Sequence, residues 1–406
     1  MKVLIVGGGM VGLAFAMALR HVSASTEVTV LEARLPPSGT PSPLDSRASA
    51  LNLVSRDILT VWGVWPAIVE QAGVIQQIHV SNQHRFGSSV LEPSDVGSDD
   101  GSLGFVIENH HLGRALLSRA QELGVELAAP VDVRAVRRGD VSPGVVLASG
   151  ETLSADLVVI ADGGQSTLRE QLGIPIDTRS PGQRAVVANV LFEAEQRGIA
   201  WERFTPHGPL ALLPLPGGSG SKGSRFNVVW SMPNDAALAL EATDALHFCE
   251  ALQDAVGWRL GKVLDVGTRT GWTLDRVLAQ EQSRPGFLLA GNATHGLHPV
   301  AGQGLNLSLR DAWQLATSWS ATPMQSDPDF IAAVIDGFVD TVREDQARTV
   351  SATDMLSTLF AHRGLLLDLP RDLALAGLDT MSPLRRYIAR RGTGVGSQLR
   401  TGRQSS

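Results

Sequence analysis

The sequence predicts an α/β chain: a Rossmann-like dinucleotide domain, interrupted by a β-rich insertion and closed by a C-terminal helical region. Three observations carry this. An apolar stretch at residues 2–6 runs into Gly7-x-Gly9-x-x-Gly12 and then into a helical pattern. Apolar strand-like runs before glycine-rich loops recur in the middle of the chain, at 157–161, and near its end, at 287–289. Between them, from 184 to 232, the pattern becomes β-rich.

Taken in order, residues 2–6 read as a buried strand and 10–21 as the helix that follows. Residues 27–31 alternate as a second strand, and Pro36, Pro37, Pro41 and Pro43 mark a loop. Helices are expected around 55–72 and 110–123. The runs 145–149 and 151–154 read as a hairpin around Gly150, and 157–161 as another buried strand. In the insertion, 186–192, 211–215 and 226–230 are strands, and 217–223 is a hairpin tip rich in glycine and serine. Residues 237–256 read as helix, 287–289 as a last short strand, 304–320 as helix and 330–360 as a long helical region. The expected division is 1–72, 110–180 and 285–325 for the dinucleotide domain, and 73–109 with 181–284 for the β-rich domain. Residues 326–383 are expected as C-terminal helices and 384–406 as a basic tail.

The chain has 406 residues, room for two or three domains, and a net charge of −7. Cys249 is its one cysteine, which excludes an intramolecular disulfide and any Cys-based zinc or iron–sulfur centre and fits a reducing compartment. The acidic balance argues against nucleic acid as a partner. Charge is uneven, however: 384–406 holds six Arg and no Asp or Glu. That tail reads as a solvated, frayed end or as an electrostatic contact with anionic lipid or a biosynthetic complex. Residues 3–19 are uncharged and mostly apolar, like the apolar stretch of a signal peptide. Gly7, Gly8, Gly9 and Gly12 fit a turn better, and the run is short of the ~20 residues that span a bilayer. A cytoplasmic chain is expected, peripheral on the inner face of the cell membrane if the tail binds lipid.

In the first motif, Gly7 permits a tight turn, Gly9 lets the backbone approach a pyrophosphate, and Gly12 lets helix and strand pack closely. The helix N-terminus offers free N–H groups and the positive end of its dipole. Glu32 closes the second strand 20 residues after Gly12, where a carboxylate accepts hydrogen bonds from ribose hydroxyls. These residues alone do not separate FAD from NAD. A second motif, Asp162-Gly163-Gly164-Gln165-Ser166-Thr167-Leu168-Arg169, follows the 157–161 strand; by itself it is also compatible with a plain turn. The third runs from Leu289 to Asp311 as strand, glycine-rich loop and helix start. His295 and His298 have H-x-x-H spacing, but no carboxylate or third histidine adjoins them in a metal pattern, so no metal is expected. His110 and His111 adjoin a helix start and read as polar surface or a cofactor contact.

The three motifs, in this order and spacing, resemble the flavin monooxygenases of the para-hydroxybenzoate hydroxylase fold. Asp45-x-Arg47-x-x-Ala50-Leu51 and His298-Pro299-x-x-Gly302-Gln303-Gly304-x-Asn306 resemble the ubiquinone-biosynthesis hydroxylases among them. Glu202-Arg203-Phe204-Thr205-x-His207-Gly208-Pro209-Leu210-Ala211, Gly257-Trp258-Arg259-Leu260-Gly261-Lys262 and Gly291-Asn292-Ala293 are similar to the bacterial 2-polyprenyl-6-methoxyphenol hydroxylases. The likeness covers residues 1 to about 380. It implies a Rossmann-like FAD-binding domain with an inserted β-rich substrate domain and a C-terminal helical region.

The resemblance also implies site roles. Gly7, Gly9, Gly12 and Glu32 would hold the ADP half of FAD. Arg47 would reach toward the pyrophosphate or flavin, and Arg169 would support the Asp162 loop, which serves pyridine-nucleotide contact in the family. Gly302, Gln303 and Gly304, with Asn306, would present backbone N–H groups and a helix dipole to the flavin N1–C2=O edge. Two positions depart from the family pattern. Asn292 stands where aspartate is usual and carries no charge, and Ser308 stands where glycine is usual.

The implied reaction is aromatic hydroxylation, in which NAD(P)H reduces FAD and O2 then forms a flavin C4a-hydroperoxide that attacks a polyprenylated phenol. Simpler relatives activate the phenol with buried tyrosines. Tyr387, the one tyrosine, lies outside the motif core, so His298, His207 or the Pro299 carbonyl is expected to serve instead. Trp201, Phe204, Leu210, Leu212, Leu213, Leu215, Val228 and Trp230 are the expected apolar lining for a prenyl tail, with plain sheet core as their other reading. Two rival classes are an FAD-dependent reductase or dehydrogenase and a non-catalytic prenyl-binding scaffold that keeps the flavin fold.

Overall fold

The structure, a computed structural model, describes residues 1–406 except 36–38, 40, 41, 43, 45, 84–87, 140, 141, 196, 218–222, 298–301, 321–326, 362–385, 387, 388 and 391–406, and leaves out the side chains of 355–361. Tyr387, His298, Pro299, most of the 217–223 tip and most of the basic tail therefore lie outside the described residues.

The opening strand Lys2–Val6 is central in a six-stranded sheet ordered Ser283–Arg284, Phe287–Leu289, Leu157–Ile160, Lys2–Val6, Glu27–Leu31, Glu126–Ala128. All pairs are parallel except the one at the Ser283–Arg284 edge. Such strands are buried on both faces, which is why Val3, Leu4, Ile5 and Leu157–Ile160 read as unbroken apolar runs. Helix Met10–Val22 packs its apolar side on one face of the sheet, joined by Leu309, Ala312 and Leu315 of helix Gln303–Ser320 in one core. The long helix Pro328–Ala361 extends that core through Ile331, Ile335 and Phe338, and Arg310 ties the two helices through Asp345 at 2.7 Å.

The insertion is a second, larger sheet ordered Val263–Val266, Gln183–Phe192, Ser224–Pro233, Gly208–Pro214, Ile199–Thr205, Gln77–Asn82, Ser88–Leu91, with Thr270–Thr273 also on Gln183–Phe192. Its pairs are antiparallel except Ile199–Thr205 with Gln77–Asn82. Alternation gives this sheet two different faces. On one, Val186, Val190, Leu210, Leu212, Phe226, Val228 and Trp230 pack against Phe248 and Leu252 of helix Ala245–Val256. On the other, Ala200, with Ile78 and Leu213, joins the core of the dinucleotide domain.

Three expectations change here. Strand Gly104–Glu108 pairs with Ala48–Leu51 on one side and Ala72–Ile75 on the other, in a three-stranded sheet separate from the large one. Of the expected 73–109 stretch, only Gln77–Asn82 and Ser88–Leu91 enter the insertion. The predicted helix 237–256 is two helices, Asn234–Ala242 and Ala245–Val256. The break falls at Asp244, whose carboxylate accepts from the His247 N–H and so starts a new helix. Likewise the predicted 55–72 helix ends at Val61, before two short 3-10 turns.

Candidate functional site

The glycine loop forms as its spacing requires. Gly7 has φ +105°, and a Cβ there would sit 2.4 Å from the Ala161 carbonyl. A Cβ on Gly12 would meet the Gly7 carbonyl at 1.9 Å, so helix and strand touch only because both side chains are absent. Gly9 differs: a Cβ there meets nothing within 4 Å. Gly9 is also the N-cap of helix Met10–Val22 and makes no side-chain cap, so the first N–H groups face open space. Glu32 closes the far side. Its two oxygens accept from the N–H groups of Gly8 (2.6 Å) and Arg34 (3.0 Å), which fixes the carboxylate beside the loop.

The middle and late motifs meet at one buried cation. Arg169 is 1% exposed, and its Nη1 donates to the carbonyls of Gly164 (3.0 Å) and Ala293 (3.1 Å). It thus brackets the Asp162 loop to the Gly291–Ala293 turn, 124 residues apart. Ser166 caps the helix Thr167–Gln171 and donates to Asp162 Oδ2 at 2.9 Å. Asn292 is exposed on the turn, and its backbone carbonyl lies 3.8 Å from where a Gly164 Cβ would be. The two loops form one rim beside the first glycine loop, since Gly7 rests against Ala161.

At the start of helix Gln303–Ser320, Gly304 is also open to space. Gly302 fits against Ala50, where a Cβ would stand 3.2 Å from the Ala50 Cβ and carbonyl. Asn306, expected among the cofactor contacts, has instead a fully internal role. Its Oδ1 accepts from the Asn52 N–H (2.9 Å), and its Nδ2 donates to the carbonyls of Ala50 (2.8 Å) and Gly302 (2.7 Å). Both amide hydrogens are engaged, so the side chain acts by holding the 46–52 segment against the helix start. Arg47 lies on that segment, with its guanidinium 5.5 Å from the centre of the Trp272 ring. The same segment is pinned to the large sheet, where Asn189 Nδ2 donates to the Ser46 carbonyl at 2.5 Å. One strap therefore joins the Gly302 loop to the sheet face that looks toward the dinucleotide domain.

The expected substrate residues divide across that sheet. Leu210, Leu212, Val228 and Trp230 belong to the core under helix Ala245–Val256, with Trp201 partly buried against it, so they do not line the facing side. Phe204 stays on the facing side, by alternation from Trp201, and Leu213 and Leu215 pack into the dinucleotide-domain core. His207 is also corrected. It is exposed in the turn between Ile199–Thr205 and Gly208–Pro214, its N–H bonded to Thr205 Oγ1 at 3.2 Å. A tight hairpin turn presents that ring to water, not to a dry pocket. Accordingly, His207→Ala keeps product per NAD(P)H within about twofold of wild type; loss of coupling would return it to the reaction.

Two groupings were not visible in the sequence, because each joins distant segments. Buried His295 Nε2 donates to Asp311 Oδ2 (2.8 Å), which also accepts from the Gln346 amide at 3.0 Å; this histidine is a structural bracket to helix Gln303–Ser320. Buried Arg225 meets Glu108 at 3.2 Å and the Pro216 carbonyl at 3.0 Å, locking the insertion to strand Gly104–Glu108. Glu108, His110 and His111 come close enough to share an ion. Part of this cluster is already engaged by protein, Glu108 by Arg225 and His110 Nδ1 by Ser46 Oγ at 2.8 Å. Burial, with the charge of His111, lowers the His110 pKa. A surface cleft of about 540 Å³ beside Gln76, Glu92 and Arg197 adjoins none of the three glycine loops.

The open spaces at Gly9 and Gly304, the uncapped helix start and the fixed Glu32 carboxylate fit an extended dinucleotide with a ring system at the Gly302–Gly304 end. Residues 1–325 match a protein family described as an FAD binding domain. The chain is 34% identical to a ubiquinone hydroxylase of Rhodospirillum rubrum, UbiL, over 97% of this chain and 89% of that one. It is 32% identical to the 3-demethoxyubiquinol 3-hydroxylase of Escherichia coli, over 76% and 77% of the two chains. Among solved structures, p-nitrophenol 4-monooxygenase from Pseudomonas putida superposes with a TM-score of 0.77 at 19% identity, covering 98% of each chain. HpxO of Klebsiella pneumoniae, solved with FAD, gives 0.77 at 18% identity, covering 98% of this chain and all of that one.

Proposed function

The chain belongs to the FAD-dependent hydroxylases of ubiquinone biosynthesis, and from that premise we propose that its aromatic substrate is a phenol bearing a polyprenyl tail. It is an FAD-dependent monooxygenase that uses NAD(P)H and O2. Bound FAD supplies the redox and oxygen-activating chemistry; the chain supplies placement, dryness and electrostatics.

The observation that carries the substrate reading is the facing side of the large sheet. There, Val80, Glu202, Ala211, Val229, Val187 and Thr270 form one unbroken cross-strand row. All six are half-buried. Flanking it on one side, Ala200, Asn227 and Asn189 are buried and Ile78 and Leu213 half-buried; on the other, Phe204, Pro209, Ser231 and Ala185 are all buried. A half-open row between more closed rows is a trough, and its side chains are mostly small and apolar, suited to a flat ring and an isoprenoid chain. Its Val187 end adjoins Trp272 and Arg47, and through the 46–52 strap the Gly302–Gly304 helix start.

The chain's own parts then have defined work. Gly7, Gly9, Gly12 and Glu32 bind the ADP half, and Arg169 holds the Asp162 and Asn292 loops in register. Gly302, Gln303 and Gly304 direct N–H groups and the positive helix end toward charge that accumulates on the flavin ring. His298 and Pro299, beyond the described residues, stay candidates for contact with the substrate hydroxyl. No described helix is long and apolar enough to cross a membrane; the arginine-rich tail supports peripheral docking on anionic lipid, where a prenylated substrate resides, or in a biosynthetic complex. Deleting the gene from its host tests the reading. A prenylated phenol lacking one ring hydroxyl accumulates and disappears on complementation; an unchanged quinone profile contradicts it.

A further inference from the structure

The structure assigns to Glu202 the acceptance of the phenolic proton of the substrate. This rests on the substrate reading above and adds to it the group that makes the ring reactive.

Four observations converge. Glu202 is the only charged residue in the trough row. Its direct neighbours across the strands are Val80 and Ala211, neither of which can pair with it. By alternation it shares the facing side with Ala200, which is in the dinucleotide-domain core, while its neighbour Trp201 lies on the helix-covered side. Finally, it is deeply enclosed by protein yet half-open to the trough, as a group lining an internal cleft is. Burial alone pushes its pKa up to about 7; no neighbouring charge contributes.

The surrounding charges are placed elsewhere. Arg203, Arg259 and His79 belong to the opposite side, where Arg259 meets His79 at 3.2 Å and the His79 ring lies 4.6 Å from that of Trp201. Arg225, on the facing side, is engaged by Glu108, and Arg47 is at the far edge of the sheet over Trp272. A carboxylate without a cation is an acceptor of protons first. One that titrates near neutral pH is matched to general-base work.

The step balances without any co-reactant. The substrate O–H bond breaks, its proton forms an O–H bond on Glu202, and the electron pair stays on the phenolate oxygen. That pair enriches the ring carbons ortho and para to the oxygen, where an electrophilic oxygen attacks. The proton leaves to solvent through the open side of the trough.

The test uses the full FAD-loaded chain with 2-farnesylphenol as probe and compares wild type, Glu202→Gln and Glu202→Asp. FAD content and melting temperature are measured first. Mixing at pH 7.5 without NAD(P)H reads the affinity for the probe from the perturbed flavin spectrum; adding NAD(P)H in air reads hydroxylated product from pH 5.5 to 9. Wild type binds the probe, and its product rate falls about tenfold per pH unit below about 7 as the carboxylate protonates. Glu202→Gln, with wild-type FAD content and probe affinity, loses the break near 7, and its rate drops about 10²-fold or more. Glu202→Asp recovers part of both, and a fluorinated phenol of lower pKa recovers product in the Gln variant. An unchanged rate and pH break in Glu202→Gln overturn the assignment, as does a loss explained fully by lost FAD or lost probe binding. A wild type that neither binds nor hydroxylates the probe overturns the substrate reading and the assignment together.

Discussion

Gly9→Val yields a folded protein that purifies without colour. The Gly9 side of the loop is empty protein-side space, so a valine there meets no atom of the chain within reach of its Cβ. The backbone at Gly9, φ −69° and ψ 176°, is open to any residue. The cost falls on the ligand: a pyrophosphate brought against the N–H groups of helix Met10–Val22 would meet the new side chain. Losing two charge-assisted hydrogen bonds costs about 3–6 kcal/mol, which lowers FAD affinity about 10²- to 10⁴-fold. Flavin absorbance per protein and titration of the apoprotein check this. Stoichiometric FAD with native affinity in Gly9→Val would move the pyrophosphate away from this loop. Gly12→Val is the contrast, because its Cβ would strike the Gly7 carbonyl and the damage falls on folding itself.

Arg225→Met destabilises the protein by about 3–5 kcal/mol, because it leaves the Glu108 carboxylate buried without its cation. The Pro216 carbonyl loses its donor as well. On a chain of this size the melting temperature falls by roughly 4–6 °C. The joint variant Glu108→Gln/Arg225→Met recovers most of the loss, since no unpaired charge remains. Equal losses in the single and double variants would show that the charge pair is not what binds the insertion to strand Gly104–Glu108.

What was legible in the sequence was local. Gly7, Gly9, Gly12 and Glu32 report a strand–turn–helix because spacing and backbone sterics operate within a few residues or along one β–α–β unit. The buried parallel strands were legible for the same reason: burial on both faces leaves a continuous apolar run. Alternation in Gly208–Pro214 announced two faces but not which of them meets a helix, so Leu210 and Leu212 read equally as prenyl lining or as sheet core, and they face Phe248. That choice depends on helix Ala245–Val256, which the chain reaches only after one more strand and another helix.

The site shows the same limit. His207 stands in a family-like motif, yet a motif does not tell a turn from a pocket wall. Glu202, five residues earlier in the same motif, carries no local mark of its role; only the cross-strand register puts it in the apolar trough. Asn306 carried a family signature whose physical content is three internal hydrogen bonds. His295 with Asp311 and Arg225 with Glu108 join segments that only the folded chain brings together. One signal was available and unread: Thr243-Asp244 is a helix-start pattern inside the 237–256 stretch.

The central claim is that this chain, loaded with FAD, inserts an oxygen atom from O2 into a prenylated phenol. The most direct measurement is turnover of 2-farnesylphenol with NAD(P)H under ¹⁸O2 in unlabelled water, followed by mass spectrometry of the product. The account predicts one ¹⁸O atom on the ring for each hydroxyl added, one NAD(P)H consumed per product in the coupled enzyme, and no product without O2. Oxygen derived from water, or turnover that continues anaerobically, would contradict it.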